Sequence, residues 1–306
     1  MRVSVVVCTY TEEMYDHLED CVESLRSQTY DDVEVVIVVD GDTSLCEQVT
    51  TSYGDAPDVR VHCNEENLGL SASRNQALEH VTGDVVAFVD DDAVADERWV
   101  EELVAAYEEH DAVAAGGKMT PIWVAGEPKF LPEEFYWLVG VTHRGFADPG
   151  EEVRNTFGSN ISFRREVFEK LGGFDTEVGR RGEANLQAEE PLFCARMREA
   201  FGRGVVYNPD ARVGHKVFDY RTDPRWLFER AFWQGYSKRA METLVSGDSG
   251  GEESVFLRRL LFEFAPGRAK SLATGPSLAK GVQLAMLFAL TAAVGVGYLY
   301  GLARWR

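Results

Sequence analysis

In VTGDVVAFVDDDAVADERWV (residues 81–100) an apolar run from Val85 to Val89 ends abruptly in Asp90, Asp91 and Asp92, and a helical pattern follows over 96–110. A short run that is apolar on both faces reads as a strand buried in a parallel sheet. Three adjacent carboxylates repel one another, and water, a helix N-terminus or a metal ion must offset that repulsion. An N-cap requires one Asp rather than three, and Asp96 is better placed for it. The triplet therefore reads as the ligand-binding edge of a sheet.

Working outward, the same alternation recurs. Val3–Cys8 is a β-branched strand, Met14–Gln28 carries Leu18, Cys21, Val22 and Leu25 at helical spacing, and VEVVIVVDG (33–41) is a second strand. Residues 59–63 predict a short strand and LSASRNQALEHV (70–81) a helix. Strand–helix units of this length predict an α/β fold with a mostly parallel central sheet and right-handed crossovers. Beyond it, residues 116–157 hold Pro121, Pro128, Pro132 and Pro149 and read as a long functional loop region. Residues 160–174 predict a strand, a helix and a Gly-Gly stop, 188–202 a helix, and 204–217 two short strands around a turn.

Charge narrows the partners. The chain has 51 Asp and Glu against 31 Lys and Arg, a net charge of −20 over 306 residues. A surface this acidic makes nucleic acid an improbable partner. Only 7 of the basic residues are Lys, and the acidic, Lys-poor balance predicts adaptation to high salt. Residues 255–306 invert the sign, with seven basic residues and the single acid Glu263. Cys8, Cys21, Cys46, Cys63 and Cys194 show no metal-ligand spacing and are expected to be buried, reduced thiols of a cytosolic domain. MRVSVVVCTY has too short an apolar run for a secretory signal.

In open parallel α/β sheets, ligands sit beyond the carboxyl ends of the strands. There the chain places Thr9-Tyr10-Thr11, Asp40, Asn67 and the aspartates. Neither G-x-G-x-x-G nor G-x-x-x-x-G-K-[ST] occurs, which excludes Rossmann and P-loop readings.

The segments VSVVVCTY, VVIVVDG, NLGLSASRNQAL, GDVVAFVDDDAV, GSNISFRREVFEKLGGFD, EEPLFCARM and NPDARVGH, in this order, resemble the family 2 glycosyltransferases of GT-A fold over about residues 3–240. The resemblance implies a D-x-D motif at Asp90 and Asp92 that holds Mn2+ or Mg2+ against the diphosphate of a nucleotide sugar, with Asp92 in direct contact and Asp90 on the ribose or a metal-bound water. His215 is implied to complete the metal site. Thr9 and Asp40 match positions that recognise the base, and Arg74 and Asn75 a helix beside the nucleotide. Tyr10, Thr11, Asn67 and Asp91 join this donor-binding set. Inverting transfer needs a carboxylate to take the acceptor proton, and the matching place holds Glu189-Glu190 where relatives carry Glu-Asp. Glu190 is the expected base and Glu189 its orienting partner, with Pro191 in the first helical turn. Gly172-Gly173-Phe174-Asp175 is the implied acceptor-side turn. FWQGYSKR (232–239) lacks the Q-x-x-R-W of processive relatives, which implies a single sugar per acceptor.

Three segments are expected: a catalytic domain over 1–220, an amphipathic, aromatic membrane-proximal segment over 221–277, and a transmembrane anchor over 278–306. Gly281–Ala303 is free of charge and as a helix spans about 35 Å, enough for a bilayer core of about 30 Å. Ala285, Ala289, Ala293, Gly297 and Gly301 form a small-residue stripe suited to a partner helix or homodimer. The expected location is the cell membrane, single-pass, with the catalytic domain on the cytoplasmic side. The halophilic composition and anchor resemble haloarchaeal enzymes that build surface-layer N-glycans on dolichol phosphate. By analogy the donor is a UDP-sugar carrying glucuronate or another hexuronate, the acceptor a dolichol-phosphate-linked saccharide, and Arg144 or Arg180-Arg181 a cationic partner for the donor carboxylate. Two alternatives compete. A sugar-phosphate nucleotidyltransferase would need a Gly-rich basic loop that CTYTEEMYDH lacks, and a non-catalytic membrane scaffold would not need the intact carboxylates.

Overall fold

A computed structural model describes residues 1–176, 180–181, 184–185, 189–244 and 251–305. In chain order, the first half forms β1 (Val3–Thr9), α1 (Tyr15–Arg26), β2 (Val33–Asp40), α2 (Thr43–Tyr53), β3 (Val59–Asn64), α3 (Leu70–Leu78), β4 (Val85–Asp90), β5 (Ala93–Ala95), α4 (Trp99–His110) and β6 (Ala114–Trp123). There follow β7 (Glu152–Val153), β8 (Ile161–Arg164), α5 (Arg165–Leu171), β9 (Arg180–Arg181), β10 (Ala184–Asn185), α6 (Glu189–Phe201) and β11 (Val205–Val217). Helices α7 (Pro224–Leu244), α8 (Gly251–Arg259), α9 (Ala265–Thr274) and α10 (Leu278–Arg304) end the chain, with a π-helical turn over Leu260–Phe264.

The main sheet runs β3-β2-β1-β4-β8-β6-β11-β5, with β7 paired to β11. The strands β1–β4 are parallel, and β8 joins β4 antiparallel. Alternation sends Val5, Ile37 and Ala87 into one core with α1, α2 and α4, and Val6, Val36 and Phe88 into a second core that α5 and α6 close with Phe168 and Phe193. Both faces are thus covered, which is why these strands are apolar throughout.

Residues 1–122 and 147–216 form one compact unit, and residues 123–146 and 217–306 a second. The second has its own core, where Leu131, Phe135 and Leu138 meet Leu227, Leu260, Leu287 and Leu290. Inside it, α7 and α10 touch backbone to backbone. A Cβ on Gly297 would stand 1.8 Å from the Phe232 carbonyl, and one on Gly235 would stand 1.9 Å from that of Val294.

Several expectations are corrected. The loop region begins instead with strand β6, whose Gly117 lies so close to Ala211 that a Cβ would stand 1.7 Å from its carbonyl oxygen. The segment read as two short strands is the single 13-residue β11, which runs through Asn208-Pro209-Asp210. The cysteines are not all reduced: α2 lays Cys46 over β3, and Cys46 and Cys63 form a disulfide, leaving Cys8, Cys21 and Cys194 as thiols. Gly297 and Gly301 of the small-residue stripe do not await a partner helix, because α7 of the same chain fills that face.

Candidate active site

The site is assembled where β1, β2 and β4 end. At the end of β2, Asp40 is buried and accepts from the Asn64 amide (2.8 Å) and the backbone N–H groups of Leu68 and Gly69 (both 2.9 Å). The carboxylate thereby pins the 64–69 loop onto the strand. Asn67 donates to the Asp40 carbonyl at 3.4 Å, across Gly41, whose φ of +80° and lack of a Cβ let the loop come this close. Thr9 is buried, while Tyr10 is largely exposed and Thr11 precedes a 3₁₀ turn.

Strand alternation divides the aspartate triplet. Asp90 falls on the α3–α6 face and Asp91 on the α1 face. Burial pushes the Asp91 carboxyl up to about 7, against the lowering effect of the Thr9 hydroxyl and with the help of Asp92 and Asp90. The triplet does not start the next helix, since β5 intervenes and α4 begins at Trp99, with Asp96 accepting from the Arg98 N–H at 3.2 Å.

Arg74 is the centre of the α3–α6 face. Its guanidinium donates to Glu190 Oε1 at 2.6 Å, to Asp90 Oδ1 at 3.2 Å and to the Gly158 carbonyl at 3.2 Å, with its side chain only 3% exposed. Burial alone would lower its pKa, but Glu190 and Asp90 raise it, so the cation persists. The guanidinium also lies over the rings of Phe88 and Phe174, at 5.5 and 5.7 Å from their centroids. Glu190 sits in the first turn of α6 with Glu189, which is buried. Gly158 makes room for it, since a Cβ there would stand 1.9 Å from Glu190 Oε1. The next residue along α3, Asn75, clasps the Gly172–Asp175 turn: Nδ2 donates to the Phe174 carbonyl and Oδ1 accepts from the Phe174 N–H, both at 2.8 Å. Gly172 caps α5 with φ of +75°.

On the β11 side, His215 Nε2 stands 3.4 Å from Asp92 Oδ2, both side chains being under a tenth exposed. Their backbones are set by the antiparallel pairing of His215 with Ala93 and by the Lys216 N–H donating to the Asp92 carbonyl at 2.9 Å. Among the described residues no three His, Cys, Asp or Glu groups converge as a metal-ligand cluster. The Asp92–His215 pair nevertheless has the donor chemistry that Mn2+ or Mg2+ accepts when substrate phosphate and water complete its shell.

Three residues that reading by type did not single out hold this edge together. Ser159 Oγ accepts from the Asp90 N–H at 3.0 Å. Asn160 is fully buried, accepts from Trp99 Nε1 at 2.9 Å and donates to the Ala211 carbonyl at 2.9 Å. Lys216 Nζ binds Asp20 and approaches His17 Nδ1 at 3.0 Å. The GSN tripeptide was the available signal for the first two. Arg144 is exposed in the second compact unit, and the side chains of Arg180 and Arg181 lie outside the described residues.

The family profile described as Glycosyl transferase family 2 matches residues 4–172. The glucosyl-dolichyl phosphate glucuronosyltransferase of Haloferax volcanii is 52% identical over 303 residues, 99% of this chain and 96% of that one. The putative glycosyltransferase EpsH of Bacillus subtilis is 34% identical over 250 residues, 79% of this chain and 65% of its own. Among solved structures, the mannosyltransferase PcManGT from Pyrobaculum calidifontis in complex with GDP-Man and Mn2+ has a TM-score of 0.59 at 20% identity, covering 98% of this chain and 87% of that one. S. aureus TarS 1-349 in complex with UDP-GlcNAc has a TM-score of 0.56 at 19% identity, covering 96% and 82%. At those identities the two structures speak to fold alone, and the fold is GT-A. The chain belongs to glycosyl transferase family 2.

Proposed function

We propose that this glycosyltransferase transfers a single glucuronate from a UDP-sugar, with inversion and without polymerising, to a dolichol-phosphate-linked saccharide used in surface-layer N-glycosylation. The observation that carries the reading is the 52% identity over nearly the whole of both chains to a protein named for glucuronosyl transfer to glucosyl-dolichyl phosphate. In this reading Glu190 accepts the proton of the acceptor hydroxyl as it attacks the anomeric carbon. Arg74 holds the Glu190 carboxylate in place through the 2.6 Å ion pair, and Glu189 helps orient it. The Asn75-clasped turn borders the acceptor. Asp92 and His215 would hold a divalent cation whose chemistry is to neutralise charge on the departing diphosphate. Asp90, shared with Arg74, faces the ribose side, while Thr9, Tyr10, Thr11, Asp40 and Asn67 shape the base pocket. The C-terminal residues associate with the membrane, with the catalytic unit on the cytoplasmic side, and the high acidic charge suits a halophilic cytosol.

Purified full chain, incubated with a panel of UDP-sugars, Mn2+ and glucosyl-dolichyl phosphate, is expected to transfer from UDP-glucuronate. No turnover with any donor overturns the transfer reading, and turnover with a neutral sugar alone overturns the hexuronate. Asp92→Ala should be inactive, and full activity would remove the aspartate from the metal site. Glu190→Gln should cut transfer by about 10²- to 10⁴-fold while donor binding, followed by calorimetry, stays intact. Undiminished transfer would place the base elsewhere.

A further inference from the structure

α10 is 27 residues long and apolar enough to cross a bilayer by length and composition. Its surroundings favour another geometry. α10 does not stand alone, because α7 runs alongside it in the same direction: Leu227 shares a core with Leu287 and Leu290, Phe232 meets Gly297, and Arg239 meets Gly301. The exposed Glu229 and its neighbour Arg230 therefore lie level with the stretch between Leu290 and Gly297, which is the middle of the uncharged window. Further along, Tyr298 donates to Glu242 at 2.8 Å and Glu242 pairs with Arg239 at 3.0 Å, so more charge accompanies the end of α10. A pair that crossed the membrane upright would carry an exposed carboxylate to mid-bilayer, where ionisable groups are expensive.

The free face of α10 is different. Leu278, Ala285, Phe288, Ala292, Val296, Leu299 and Leu302 are exposed, and none of them is polar. Phe262, 78% exposed, and Leu261 are further exposed apolar residues of the same compact unit. Arg258, Arg259, Lys270, Lys280 and Arg304 supply cationic flanks within a segment that is basic although the chain is acidic. An uncharged face, charged residues on the partner helix and basic ends are the signature of a helix lying in the plane of an anionic interface.

We propose that α7 and α10 form a helix pair that lies in the surface of an anionic bilayer, α10 dipping its Leu278–Leu302 face into the acyl boundary without crossing. The inference rests on the membrane association proposed above, but its readout is sidedness rather than activity. The full chain, carrying a protease-cleavable tag after Arg306, is added to preformed vesicles of anionic phospholipid and challenged with protease from outside. The expected result is bound protein whose tag and catalytic unit are both cleaved. Bound protein with a protected tag would establish a crossing helix and overturn the in-plane geometry alone, and no binding would overturn the membrane association itself. Because protein added from outside could bind without inserting, the same protease test is applied to inverted membrane vesicles of cells that made the chain. There the tag should again be cut along with the catalytic unit. Phe288→Asp and Leu299→Asp, at exposed positions that leave the α7 contact alone, should each lower vesicle partitioning at least tenfold while UDP-sugar binding is unchanged. Unchanged partitioning would overturn the assignment of this face, and a shift from dimer to monomer in detergent-free solution would reassign it to a second copy of the chain.

Discussion

The sheet carries a buried ionic cluster at each end of its strands, and the two behave differently. At the amino edge, Glu34 on β2 accepts from the Ser4 hydroxyl and from the backbone N–H and hydroxyl of Thr82, with the exposed guanidiniums of Arg2 and Arg60 at 3.1 and 3.7 Å. At the carboxyl edge, Arg74 holds two acids, and one of them, Asp90, is 39% exposed on its side chain. Glu34 is surrounded by donors that cannot leave, so its charge is spent on the fold. Arg74 instead binds two carboxylates that the proposed reading assigns to donor and acceptor, so in that reading its charge remains available when substrate rearranges them. A buried charge marks function when its partners are themselves reactive.

That contrast can be broken at either end. The largest effect is expected from Arg74→Ala, which leaves Glu190 and Asp90 without their shared cation. Transfer should fall at least ~100-fold and unfolding free energy by about 3–5 kcal/mol, as for other buried pairs that lose one partner, measured by product formation and urea titration. Gly158→Ala keeps every charge but shifts its position: the methyl must displace the Glu190 carboxylate, so kcat should drop about 10²-fold, with a loss of stability smaller than that of Arg74→Ala because the ion pair is loosened rather than deleted. Glu34→Ala is the control at the amino edge. It should cost about 1–3 kcal/mol of stability by leaving buried donors unsatisfied, with kcat unaltered.

The same residue gives a pH signature. Burial would raise the Glu34 carboxyl, but the hydrogen bonds of Ser4 and Thr82 and the charge of Arg2 outweigh it and hold it below the usual 4.5. The unfolded chain therefore binds this proton at higher pH than the folded one. The stability it contributes is complete above 4.5 and is lost as pH falls through the lowered value. The gap in unfolding free energy between the parent chain and Glu34→Ala should shrink over that window, and a constant gap would contradict the assignment.

Legibility in the sequence followed the reach of each interaction. β1, β2 and β4 were readable because burial on both faces makes them Val-rich, largely apolar runs, and the strand-end residues followed from topology. α2 was not, because TSLCEQVTTSY is polar and rich in β-branched Thr; the Asp42 cap and the Cys46–Cys63 link fix it instead. β6 was hidden by Gly116, Gly117 and Pro121, which read as loop residues until Thr156, Asn160 and Ala211 are seen pressing against the two glycines. Asp40 was legible as a strand-end carboxylate, but its hold on the 64–69 loop was not, since no pattern shows which backbone groups will turn toward it. The Arg74–Glu190 pair had no local signature at all.

The adjacent residues Arg74 and Asn75 reach partners 84, 99 and 116 positions further along the chain. Contacts of that separation close slowly, because the loop entropy must be met before the contact can reward it. Competence thus arrives at the end of folding rather than with the first collapsed sheet. In the proposed reading, a nascent or clipped chain that already holds β1–β4 has the aspartates but no seated base, and does not transfer sugar until α6 docks.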